Sequence, residues 1–302
     1  MNKIISAIFK LLIILAVIIF QLDCAPAKKD SKQLKVVVTI LPLADFVEQV
    51  GGDLVAVTVL VPPGSSPHAY EPLPSQMIDV AEADMLVAVG APIEFELVWL
   101  DKLREMNRHL TVVKASQGIP LQKSLSPHSH AHQSGKHHHD DNLDPHIWVS
   151  PRNAIRMVKN ISQALTELDP EHREFYEKNN TAYINQLDAL DQEIRRQLSE
   201  KKNRKFMVFH PEWGYFASEY GLDQIPIELE GKQPTAQGLK RFIDQAHAEN
   251  IRLIIASPQF DTRSAEIIAR QINAKLAIIS SLDRDYLGAM KKISHILFEE
   301  ME

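Results

Sequence analysis

The chain has 302 residues, 45% hydrophobic and 24% charged, with one cysteine and a formal net charge of −6 at pH 7. This balance excludes intrinsic disorder and fibrous architectures, and the acidic charge argues against a protein that neutralises nucleic-acid phosphates or an anionic membrane surface. A single Cys excludes an internal disulfide framework and a Cys-based zinc site, so any metal must be held by His and carboxylates.

Residues 1–27 read as a targeting segment. Lys3 and Lys10 precede the unbroken apolar run Leu11 to Phe20, which suits a secretory signal and is too short to span a bilayer comfortably. The lone Cys24 stands just beyond it, where a lipid anchor would be attached. The residues before it are Gln21, Leu22 and Asp23, without the small residue usual in such signals, and Ala25-Pro26-Ala27 is a rival cleavage site. Either route predicts an exported protein, periplasmic or lipid-anchored to the outer face of a bacterial membrane.

Beyond the polar linker Lys28 to Gln33, short apolar runs alternate with segments of helical period, the pattern of an α/β protein with mainly parallel sheets. Over an N-terminal lobe spanning 28–168, strands are predicted at Leu34 to Ile40, Val55 to Val61, Met85 to Val89 and Leu110 to Val113. Helices are predicted at Ala44 to Val50, Ser75 to Ala81 and Glu94 to Met106, with another capped by Ser150-Pro151. A loop over 124–142 breaks the pattern: His128, His130, His132, His137, His138 and His139 fall close together and are followed by Asp140 and Asp141. These imidazoles read as loose auxiliary ligands for zinc, copper or nickel.

Asp169-Pro170 then opens a long helix over 169–201, with Tyr176, Tyr183, Leu187, Leu190, Ile194 and Leu198 at helical spacing. Such a helix can run along both lobes as a stiff spine, so loading should order a loop or tilt a lobe slightly instead of closing a wide hinge. The C-terminal lobe, 202–302, repeats the plan without a sequence repeat. Strands are predicted at Lys205 to Phe209, Asp223 to Ile227, Arg252 to Ala256 and Leu276 to Ile279, and helices at Glu212 to Glu219, Ala236 to Glu249, Thr262 to Ile272 and Arg284 to Glu300.

Four candidate metal ligands stand in loops that follow strands: His68, His146, His210 and Asp283. Ligands of open α/β sheets bind outside the carboxyl ends of the strands, so two lobes facing each other would gather all four in the cleft between them. Three imidazoles and a carboxylate suit Zn²⁺. His109, His172, His247 and His295 have no convergent partner in this reading.

Four segments carry a family resemblance: Ser66-Pro67-His68-Ala69-Tyr70-Glu71-Pro72, Asp144-Pro145-His146-Ile147-Trp148, Phe209-His210-Pro211-Glu212-Trp213-Gly214-Tyr215-Phe216 and Leu282-Asp283-Arg284-Asp285-Tyr286-Leu287. In order and spacing they resemble the zinc and manganese solute-binding receptors of bacterial ABC transporters, from about Leu34 to the C-terminus. The resemblance implies two α/β lobes joined by one spine helix, a metal site in the cleft, His68, His146 and His210 as imidazole ligands and Asp283 as a fourth. That fourth position varies within the family, where a water or a carboxylate from elsewhere can serve. It further implies capture of zinc and its delivery to a membrane permease driven by a separate cytoplasmic ATPase, by a receptor that is a monomer and no enzyme. His210, where manganese receptors tend to have a carboxylate, and the His-rich loop both favour Zn²⁺ over Mn²⁺, as does the preference of imidazole-rich sites for the upper end of the divalent series. Glu71 and Arg152 are candidates for supporting or docking roles.

The alternatives are a manganese receptor, an adhesin using the same fold, and a zinc hydrolase with Glu212 as general base. The hydrolase lacks a His-Glu-x-x-His helix and a Gly-x-Ser-x-Gly turn, and four protein ligands would leave substrate no place on the metal.

Overall fold

The computed structural model describes residues 33–125, 143–228 and 233–301, which lie within one compact unit from residue 33 onward. Among them are two four-stranded, all-parallel sheets. The first comprises β1 (Leu34–Val38), β2 (Val55–Val59), β3 (Met85–Ala88) and β4 (Thr111–Lys114) in the order β2-β1-β3-β4. The second comprises β5 (Lys205–Val208), β6 (Asp223–Pro226), β7 (Leu253–Ala256) and β8 (Lys275–Ile278) in the order β6-β5-β7-β8. All eight expected strands are present, most of them a residue or two shorter than the apolar runs. The surplus residues, such as Thr39, Ile40, Leu60 and Val61, lie past the strand ends and remain buried there.

Strand composition explains the order. β3 and β7 are buried along their whole length, as are all but the first residue of β5 and the last three of β1. Such continuous apolar runs belong in sheet centres covered on both faces. β2, β4, β6 and β8 carry polar residues and are more exposed, so they form the edges. Chain order reverses between β1 and β3, and again between β5 and β7. These are topological switch points, where the loops at the carboxyl ends of the strands diverge and leave a crevice.

Helices α1 (Leu41–Gly51), α2 (Pro74–Ala81) and α3 (Glu94–Met106) connect the first sheet, and α4 (Pro151–Leu168) follows it. Ser150 caps α4 through its side chain, which accepts from Asn153 N at 3.2 Å, with Pro151 preset for the first turn. The spine helix α5 (Arg173–Ser199) is 27 residues long, about 40 Å at 1.5 Å per residue. It begins after a 3₁₀ turn at Pro170–His172, where the Asp169 carboxylate receives His172 Nδ1 and Tyr176 OH, both at 2.7 Å. The expected stripe from Tyr176 to Leu198 is buried. α6 (Gly214–Tyr220), α7 (Ala236–Ala248), α8 (Arg263–Ile272) and α9 (Tyr286–Glu300) complete the second lobe.

The spine packs on α1 and α4 of the first lobe and on α9 and α6 of the second. One apolar core therefore runs from the first sheet through the spine to the near face of the second sheet, where Phe206, Val208, Leu253 and Ile255 join it. The alternate residues Met207, Phe209, Ile254 and Ala256 face the other way into a separate core under α7 and α8, as the period of two along a strand requires. No helix of the described residues is long and apolar enough to cross a membrane.

Candidate metal centre

His210 lies two residues past β5, at the switch point of the second sheet. It is 4% exposed, and its ring lies 4.6 Å from that of Phe260 in the loop after β7. Its Nδ1 is 2.7 Å from Glu228 Oε1, and Glu228 lies two residues past the neighbouring strand β6. Burial pushes the Glu228 carboxyl up to about 7, with His146 opposing the shift and Glu212 adding to it.

His146 belongs to the first lobe and precedes a 3₁₀ turn, Ile147–Val149. Asp144 Oδ1 accepts from both the backbone N and the Nδ1 of His146, at 2.9 and 2.7 Å. Burial opposes a charge on His146, yet Asp144, by hydrogen bond and charge, and then Glu212 and Glu94 outweigh it and raise its pKa. The second lobe buttresses this turn: Tyr215 OH donates to Asp144 O at 2.9 Å and Trp148 Nε1 to Ser281 O at 3.0 Å. A Cβ on Gly214 would fall 2.5 Å from Asp144 Oδ2, so the start of α6 can approach this carboxylate only with glycine there.

His68 sits in the loop between β2 and α2 and is partly exposed. Its Nδ1 meets Glu94 Oε2 at 2.5 Å. Glu94 opens α3, and Phe95 N donates to Pro67 O at 3.0 Å, tying the loop to that helix.

The three rings converge. Nε2 of His146 lies 3.3 Å from Nε2 of His68 and 3.3 Å from Nε2 of His210. An ionised carboxylate accepts, so each Nδ1 facing one is set to carry the ring proton, and a neutral ring held this way presents the lone pair of Nε2. Three lone pairs turned inward repel one another until a cation lies between them. Tetrahedral zinc, with Zn–N of about 2.0–2.1 Å, sets its nitrogens about 3.3–3.4 Å apart, the spacing found here. The lining residues come from both lobes and include Ser66, Trp148, Glu212, Gln259, Ser281 and Leu282, around a cavity of about 10 Å³. That is room for about one water or one ion.

Among the described residues the group able to hold a metal ion is His68, His146 and His210. The structure does not bring Asp283 to it, which corrects the expected four-residue cluster. The loop after β8 turns Ser281 and Leu282 to the cavity, whereas Asp283 is exposed and its Oδ1 accepts from Asp285 N at 3.1 Å at the start of α9. Position past a strand indicates the loop but not which side chain faces inward. Glu71 is exposed, and the exposed Arg152 pairs with Asp191 and Glu219 at 3.5 and 3.3 Å. Cys24 and the six histidines from His128 to His139 lie outside the described residues.

Sequence reading missed the three carboxylates behind the imidazoles. Asp144 was within reach as a near neighbour of His146. Glu94 and Glu228 lie 26 and 18 residues from their histidines and meet them only because adjacent strand ends and a helix start share one crevice.

Comparison with known proteins agrees with this geometry. The family model described as "Zinc-uptake complex component A periplasmic" matches residues 36–299. The chain belongs to this family. Among relatives of this zinc-uptake family, the high-affinity zinc uptake system protein ZnuA of Bacillus subtilis (strain 168) is 31% identical over 260 residues, covering 84% of this chain and 81% of that protein. The zinc-binding lipoprotein AdcA of Streptococcus pneumoniae serotype 4 is 28% identical over 288 residues, 91% of this chain but 57% of AdcA. A crystal structure of ZnuA superposes with a TM-score of 0.81 at 38% identity, covering 90% of this chain and 100% of that one. The family and the two-lobed fold implied by the sequence motifs are therefore those of the chain.

Proposed function

We propose that the chain is an extracytoplasmic zinc receptor, which binds Zn²⁺ through His68, His146 and His210 and delivers it to a membrane permease driven by a separate cytoplasmic ATPase. The observation that carries this reading is the convergence of three Nε2 atoms at zinc spacing, each ring held from behind by a carboxylate. Zinc is the cargo and not a resident cofactor. An all-imidazole donor set favours it over manganese, which prefers oxygen ligands. The receptor is a monomer exported to the periplasm or anchored through lipid on Cys24, and it acts by capture and delivery, not by catalysis. Metal names among the relatives support the same reading.

A chelator-competition titration of the metal-stripped mature protein with Zn²⁺ and Mn²⁺, wild type beside His210→Ala, tests it. One tight zinc equivalent, lost in the variant, is expected, with manganese weaker by orders of magnitude. Preference for manganese would move the chain to the manganese-binding kind of receptor, and absence of any tight site would sink the three-imidazole reading. The His-rich loop is assigned weak auxiliary capture, so deletion of 127–141 should remove loose zinc equivalents and leave the tight one.

A further inference from the structure

Three imidazoles leave a tetrahedral ion one open position. Among the described residues four carboxylates stand close to the three rings, and three of them are already engaged: Glu94, Asp144 and Glu228 each hold an Nδ1. The fourth is Glu212, which holds no imidazole. It is 5% exposed and is the one carboxylate among the described residues that line the cavity, where no lysine or arginine stands to balance it. A carboxylate enclosed in this way has an open oxygen side facing the pocket that the histidines share. Ser281 Oγ, itself on a buried residue, donates to Glu212 Oε2 at 2.6 Å. The loop of Asp283, the carboxylate expected from sequence, thus reaches the cavity through Ser281 and through Ser281 orients Glu212.

We infer that Glu212 occupies the open side of the zinc site and accepts a hydrogen bond from a water bound at the ion's fourth position. This rests on the zinc-receptor reading. A bridging water fits the geometry, since Glu212 lines the same pocket but is outside the group whose donor atoms all lie within 4.8 Å of one another. A water on Zn²⁺ is polarised into a strong donor. A carboxylate anchored by a serine is a matched acceptor, and its charge offsets that of the divalent ion.

The test compares wild type, Glu212→Gln and Asp283→Asn by zinc titration against a competing chelator, with the thermal midpoint of each metal-free protein measured in parallel. Gln keeps the shape of Glu212 and its bond to Ser281 but removes the charge. The expected result is a 10–100-fold weaker zinc affinity in Glu212→Gln, no lowering of its metal-free midpoint, and wild-type affinity in Asp283→Asn. Unchanged affinity in Glu212→Gln overturns the inference. So does a loss of affinity in Asp283→Asn, or a Glu212→Gln loss matched by a lower metal-free midpoint, which would make Glu212 a packing residue. A zinc-loaded crystal structure with an Asp283 oxygen on the metal would also overturn it. Wild type without tight zinc would sink the receptor reading itself, a failure distinct from tight wild-type binding that Glu212→Gln leaves intact.

Discussion

The two lobes share one strand order, yet they present their imidazoles by different means. In the second lobe His210 and its carboxylate Glu228 each lie two residues past adjacent parallel strands, and both are buried. Sheet register fixes their separation, and Phe260 covers the ring. In the first lobe His68 stands nine residues past β2, on a partly exposed loop, and meets a carboxylate from the start of a helix. Side chains on strand ends are held more accurately than those on long loops. The second lobe thus holds its imidazole preset, whereas the first pairs the buried His146 with His68 on a loop that is freer to adjust.

This contrast can be broken most directly at the carboxylates. Glu228→Gln should weaken zinc binding by about 100-fold and Glu94→Gln by about 10-fold, the two ends of the usual range for residues that orient a ligating His. Equal losses, read by chelator competition, would mean that both rings are held alike. A smaller effect is expected where the lobes meet: Gly214→Ala places a Cβ against Asp144 and should cost about 1–3 kcal/mol of stability, as overpacking does, with a parallel drop in zinc affinity. Denaturant unfolding and zinc titration of the one variant check both, and wild-type values in each would show that α6 can move away.

The pH response divides the metal-free and loaded forms. Glu228, raised to about 7 by burial, and His146, raised because Asp144 outweighs burial, both bind protons more tightly folded than unfolded. Their contribution to stability is complete below the unfolded values and is lost as pH rises through the folded ones. The metal-free midpoint should therefore fall between about pH 5 and pH 8 from these groups, while the gain on adding zinc grows over the same window because protons compete with the metal. Calorimetry with and without zinc reads both slopes, and a zinc gain independent of pH would contradict the assignment. The smallest expected effect is in amide exchange, where zinc should protect the loop residues 62–73 more than residues 209–211, already protected in the metal-free state.

Much of the architecture was legible in the chain. The apolar runs that became β3, β5 and β7, the stripe from Tyr176 to Leu198, and Ser150-Pro151 ahead of α4 are local patterns, and local patterns report burial period and capping directly. The three histidines were legible for a related reason, since each stands in a short motif in a loop at the carboxyl end of a sheet. Asp283 met the same criteria and faces solvent, because adjacent residues of a loop point in different directions and only Ser281 and Leu282 of that loop turn inward.

By itself the sequence determined the alternation of strands and helices, the spine, which three histidines stand in loops past strand ends and the exclusion of cysteine chemistry, all of which depend on residue type and near-neighbour spacing. Only the tertiary structure decided which carboxylate stands behind each imidazole, which acid faces the cavity and how closely the three Nε2 atoms approach. Those depend on parallel strand ends from distant parts of the chain lying side by side and on two lobes closing over one ion-sized space, and neither leaves a periodic trace in the order of residues.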